Sequence, residues 1–224
     1  MGRQPQKPGN KGSLKWIQKA VNDRPDLLDL AIKKALILPA SANIEWVSPL
    51  KNDEYAEYRD GAFLKRLGVE LKRRPLKDFW PAQGPQWDAL GRIDGKAYFL
   101  VEAKAHVAEI ISSSQAKSPA SISLIGKSLD DTRAFLKLSP HVDLTKGFYQ
   151  YANRLAHLYL LRELNEIPAY LVFVYFVNDP THIPTIRDEW NGALKLMHAI
   201  LGTHRHKFSR YVIDIFINID KLKN

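Results

Sequence analysis

Residues 86–106 read QWDALGRIDGKAYFLVEAKAH. Two strand-like runs, 86–93 and 97–105, flank Asp94-Gly95, a dipeptide that favours the tight turn of a β-hairpin. Side chains at i and i+2 of a strand share a face. Tyr98, Leu100, Glu102 and Lys104 therefore point one way, and Phe99, Val101, Ala103 and Ala105 the other. The second face is wholly apolar. The first begins apolar and ends in a carboxylate and an ammonium. Charges persist in a buried strand only when paired or bound to metal. A salt bridge at an exposed strand end would satisfy the Glu-x-Lys pair by itself. Asp88, in the preceding run, adds a carboxylate that such a bridge does not need.

Two carboxylates and an adjacent backbone carbonyl suit a hard divalent cation such as Mg²⁺. A lysine beside that ion could orient or deprotonate a water, and the two cations together would stabilise a phosphoryl-transfer transition state. Register decides whether Asp88 belongs. A two-residue turn would set Ile93 against Lys96 and place Asp88 on the opposite face from Glu102. A three-residue loop, 94–96, or a β-bulge would put Asp88 directly across from Glu102. The metal site thus requires an odd-length connection.

Asp88 followed by Glu102-Ala103-Lys104 in an apolar strand resembles the core of the PD-(D/E)xK nucleases, the restriction-endonuclease-like superfamily. The first half of that motif is degenerate and reads Trp87-Asp88 here. The resemblance implies an α/β fold with a restriction-endonuclease-like core: helix, three strands, helix, strand, with a mixed central sheet flanked by helices. Residues 53–177 can be read in that order, within a single nuclease-like domain over 14–224. It implies Mg²⁺-dependent hydrolysis of phosphodiester bonds in DNA, with Mn²⁺ able to substitute. Asp88, Glu102 and the carbonyl of Ala103 would be ligands and Lys104 the catalytic lysine, which requires its neutral form. A glutamate on the first helix often faces the metal in this family. Glu54 and Glu57 are the candidates, and Glu57 is preferred because Tyr58, Ala62 and Phe63 surround it with apolar sequence.

Further along, Gln150, Asn153, Arg154 and His157 form one polar stripe, at i, i+3, i+4 and i+7, on a nearly apolar helical segment. It reads as a solvent face or as the border of the cleft. In the second case Gln150 and Arg154 are placed to touch phosphate.

The whole chain of 224 residues carries 33 Lys and Arg against 24 Asp and Glu, a net charge of +9, which favours an anionic partner. DNA comes first and RNA is not excluded; a homodimer is compatible with cutting two strands. With no cysteine, disulfides and thiolate metal sites are ruled out. Residues 1–13 lack an apolar stretch and read as a disordered basic tail rather than a signal segment, which points to a cytoplasmic protein with no membrane association. The apolar run 169–177 is nine residues, too short for a membrane-spanning helix, and reads as a central strand. Helices are expected over 14–38, 53–67, 127–138, 146–165 and, capped by Thr185, 186–201. Short strands are expected at Leu76–Trp80 and near the C-terminus, where Ile213, Ile215, Ile217 and Ile219 alternate. A nucleic-acid-binding protein that keeps the fold without the chemistry is the alternative.

Overall fold

In the computed structural model, which describes residues 2–223, a three-residue connection closes the hairpin. Asp94 and Gly95 have φ of 50° and 64°, the left-handed pair that a tight hairpin turn demands. The Lys96 N–H donates to the Ile93 carbonyl at 2.8 Å. Lys96 is then one residue extra, and pairing resumes with Ile93 opposite Ala97. The odd count sets Ala89 opposite Val101, and so brings Asp88 level with Glu102.

The two hairpin strands, β4 (Ala89–Ile93) and β5 (Ala97–Lys104), sit inside a five-stranded mixed sheet. The other members are β2 (Ile44–Ser48), β6 (Ala169–Val177) and β7 (Val212–Asn218), in the order β2-β4-β5-β6-β7. β2, β4 and β5 are antiparallel neighbours, whereas β5, β6 and β7 run parallel. Parallel strands need crossovers, and helices supply both. α4 (Pro119–Leu136) and α5 (Tyr149–Arg162) join β5 to β6, and α6 (Arg187–Leu201) joins β6 to β7. These three helices and α3 (Asp60–Leu67) cover the face that carries Leu100, Leu171, Phe173 and Tyr175. The opposite face, with Phe99, Val101, Val172, Val174 and Ile215, is covered by α1 (Gly12–Asn22) and α2 (Pro25–Leu36). A small second sheet pairs β1 (Arg3–Gln4) with β3 (Glu57–Tyr58). The chain is thus α/β, with a mixed sheet flanked by helices.

Several elements differ from the expected ones. No helix spans 53–67: Lys51–Asp53 is a short 3₁₀ turn, Glu57–Tyr58 is a strand, and only Asp60–Leu67 is helical, ended by Gly68 at φ 72°. The third antiparallel strand, β2, precedes α3 and lies outside 53–177, and Leu76–Asp78 is a 3₁₀ turn rather than a strand. The segment 14–38 is two helices, with Pro25 at the first position of the second. α4 is 18 residues long and begins well before 127. Ser118 caps it by accepting the Ser121 N–H at 3.1 Å. Thr185 does not cap α6. Its hydroxyl accepts the Val107 N–H, and Glu189 reaches back to the Ile186 N–H instead.

The basic tail expected to be disordered over 1–13 is laid against the domain from residue 2 onward. Met1 lies outside the described residues. β1 pairs with β3, the Gln6 N–H meets the Glu54 carbonyl at 3.0 Å, and Gln18 on α1 accepts from Gly9 and donates to the Lys7 carbonyl. Backbone hydrogen bonds need no apolar side chains, so composition alone does not register this kind of order. Among the described residues no helix is long and apolar enough to cross a membrane.

Candidate active site

The carboxyl end of β5 opens onto a cleft of about 980 Å³. Its lining includes Glu57, Asp88, Glu102, Lys104, Gln150 and Arg154. These six residues, all singled out from the sequence, therefore face one space, and Ala103 and Asn153 join them.

Each arrives by its own route. Strand alternation and register bring Glu102, Lys104 and Asp88 together at the cleft floor. The Ala103 N–H donates to Asp88 Oδ2 at 2.7 Å, which ties the start of β4 to β5. Gln150 and Arg154 come from the first turns of α5, packed over the same face of the sheet. Glu57 comes from β3 and not from a helix. Tyr58 bridges to Trp87 in an antiparallel sense, which sets Glu57 level with Asp88, where the Gln86 amide donates to it. Glu54 is exposed, paired with Arg3 at 2.7 Å, and faces away.

Glu102 is the electrostatic centre. It is 2% exposed, and two cations hold its two oxygens. Lys104 Nζ lies 2.5 Å from Oε1 and Arg154 Nε lies 2.6 Å from Oε2. Burial would raise this carboxyl, but Arg154 and then Lys104 hold it below its ordinary value. Lys104 also donates to Gln150 Oε1 at 2.9 Å. Burial works against its charge, yet Glu102 and Asp88 raise it above the ordinary lysine value, so Lys104 is an ammonium. The neutral amine expected from the sequence presupposes a neighbouring cation; Glu102 and Asp88 by themselves favour the charged form.

Arg154 is a clamp rather than a free phosphate contact. Besides Glu102, it donates to the Gln86 carbonyl at 2.7 Å and to Asn153 Oδ1 at 3.0 Å, and it lies 4.6 Å from the Trp87 ring centroid. Asp88 and Glu57 carry the opposite imbalance. Withdrawal from water, then Glu102 and Glu57, push the Asp88 carboxyl well above the ordinary aspartate value. Burial raises Glu57 from an ordinary 4.5 to about 7; Gln86 opposes the rise and Glu102 adds to it. Gln86 and Gln6 both donate to Glu57 Oε2, which leaves Oε1 without a partner among the described residues.

Sequence reasoning passed over Gln86 and Gln6. Gln86 carried a signal, since it lies two residues before Asp88 and shares its side of an extended chain. Gln6 carried none, because nothing local connects it to Glu57. Gly126-Lys127-Ser128, which ends like a phosphate-binding loop, lies inside α4, where the Ser128 hydroxyl donates to the Phe79 carbonyl. His106 pairs with Glu109 at 2.9 Å and stacks on His182, beyond the cleft lining.

No family model, no curated protein and no solved structure matches this chain. Whether the site suits a metal therefore rests on its own donors. Glu57, Asp88 and Glu102 are hard oxygen donors; Glu102 raises the proton affinity of the other two and Glu57 adds to that of Asp88, and a divalent cation relieves that kind of repulsion. Among the described residues no three His, Cys, Asp or Glu side chains already converge at metal-binding distance. Lys104 and Arg154 neutralise Glu102 in the cation's stead. The donor chemistry fits Mg²⁺, provided that Glu102 exchanges one of these partners.

Proposed function

We propose that this chain is a Mg²⁺-dependent nuclease of the PD-(D/E)xK type, hydrolysing phosphodiester bonds in DNA. The observation that carries the reading is the register: the extra residue at Lys96 brings Asp88 level with Glu102, with Lys104 on the same face at the floor of one cleft. The antiparallel β2-β4-β5 ladder, followed by a helical crossover to parallel β6, supports a restriction-endonuclease-like core with β2 as the third strand. The charge of +9 supports a polyanionic substrate, with RNA the second choice.

Asp88, Glu102 and the Ala103 carbonyl would hold the ion. When bound, it would neutralise phosphoryl oxygens and acidify a water. Hydrolysis also needs a proton removed from the attacking water and one delivered to the leaving oxygen. Lys104 and Glu57 are the two groups here suited to carrying protons. Lys104, as an ammonium, donates to negative oxygen on the substrate. Glu57 exchanges a proton near neutral pH at its unpartnered Oε1. Arg154 acts through Glu102, whose orientation it fixes, and Gln150 orients the Lys104 ammonium.

The saturation of Glu102 by two cations favours one other reading, a nucleic-acid-binding protein of the same fold without the chemistry. Cleavage of plasmid and linear DNA with Mg²⁺ or Mn²⁺ separates the two. A nuclease is expected to lose roughly 10²-fold or more in rate in Lys104→Ala and in Glu102→Ala. DNA binding without cutting, equal in wild type and both variants, would leave the binding protein.

A further inference from the structure

His157, the last member of the polar stripe, takes no part in the cleft. Its ring is 1% exposed and stands edge-on to Phe63, Phe79, Trp80 and Trp87. Nδ1 lies 2.8 Å from the Asn153 carbonyl, so Nδ1 carries the proton and Nε2 the lone pair. Nε2 has no hydrogen-bond partner among the described residues. The ring borders a second, mainly apolar pocket of about 260 Å³ behind the Trp80–Gly84 loop. Gly61, Leu76, Pro81 and Ala82 line that pocket with Trp80. Nε2 is reached from the pocket and not sealed in the core, so its partner there is water or a donor arriving from outside.

We propose that this pocket binds a small, uncharged aromatic compound carrying one N–H or O–H donor, which His157 Nε2 accepts. Size sets the upper bound: a dry cavity of roughly 150 Å³ takes up benzene, so 260 Å³ suits one or two fused rings. Charge favours an uncharged occupant, because Asp60 and Lys77, of opposite sign, both stand at the lining and, His157 and the Trp80 indole apart, the remainder is apolar. The acceptor stays an acceptor at neutral pH, since burial lowers the imidazole from 6.5 to about 3. The site is separate from the cleft, although Trp80, Pro81, Ala82 and Gly84 form a wall of both.

Indole and benzothiophene, similar in shape but only the first with an N–H, test this by amide NMR titration of the full chain. Indole is expected to shift Gly61, Lys77, Ala82 and Gly84 saturably, and benzothiophene to bind about tenfold more weakly. His157→Phe keeps the ring and removes the acceptor, so the two compounds should then bind alike. Gly61→Leu fills the pocket from an exposed helical position where an added Cβ meets nothing within 4 Å, and it should abolish binding. No shifts at those amides, equal affinities for the wild type, or undiminished binding to Gly61→Leu would each overturn the proposal.

Discussion

The two faces of β5 solve opposite problems with one backbone. Phe99, Val101, Ala103 and Ala105 enter a dry layer with α1 and α2, where burial of apolar area does the stabilising. One position along, on the other face, Glu102 and Lys104 are nearly as buried but meet charge instead of carbon. A buried ion network adds little stability beyond what apolar residues of the same volume would give, and removing one member is severe. The apolar face tolerates trimming in proportion to volume. The charged face tolerates it only if the charges still balance.

The strongest test of this contrast is Arg154→Ala. It leaves Glu102 buried beside Lys104 alone and should cost about 3–5 kcal/mol in urea unfolding. Val101→Ala, on the opposite face, removes two methyl groups and should cost only about 2 kcal/mol. Equal losses would mean that Arg154 is no more than packing.

Glu57→Gln sharpens the comparison from the same side. A carboxyl whose folded value rises from 4.5 to about 7 contributes stability fully below pH 4.5 and loses it as pH rises through 7. The amide never ionises, so the variant should gain about 2–3 kcal/mol over the wild type at pH 8 and nothing at pH 4. Parallel stability curves across that range would show that Glu57 is not held against its charge.

His157 gives the smallest effect and the opposite sign. Its neutral form is favoured by burial, with the folded value falling from 6.5 to about 3. Stability from this group is complete above pH 6.5 and declines as pH falls towards 3. Between pH 7 and pH 5 the wild type should lose about 2 kcal/mol through His157, a loss absent from His157→Phe. Denaturation midpoints at the two pH values measure it.

Much of the architecture could be read directly. β6 spans the expected 169–177, α6 begins one residue later than expected, and the alternating isoleucines of β7 bury Ile213, Ile215 and Ile217 together. Long periodic segments announce themselves because burial imposes their period. The failures lie where local pattern and tertiary pairing disagree. Glu57-Tyr58 sits in sequence with helical spacing, yet β1 and Trp87 claim it as a strand. β2 was missed because its five residues, Ile44–Ser48, gain their identity from pairing with β4.

By itself, the sequence determined that Glu102 and Lys104 share a face, since strand period is a property of the backbone. It also determined that an odd-length turn was required to bring Asp88 to them. The tertiary structure decided that Lys96 is the extra residue, that Glu57 and not Glu54 enters the cleft, and that Arg154 is spent on Glu102. Those outcomes depend on which distant segments meet: β1 with β3, Tyr58 with Trp87, α5 over β5. Local spacing fixes directions, whereas the partner of a buried charge is fixed only when the sheet and its helices close around it.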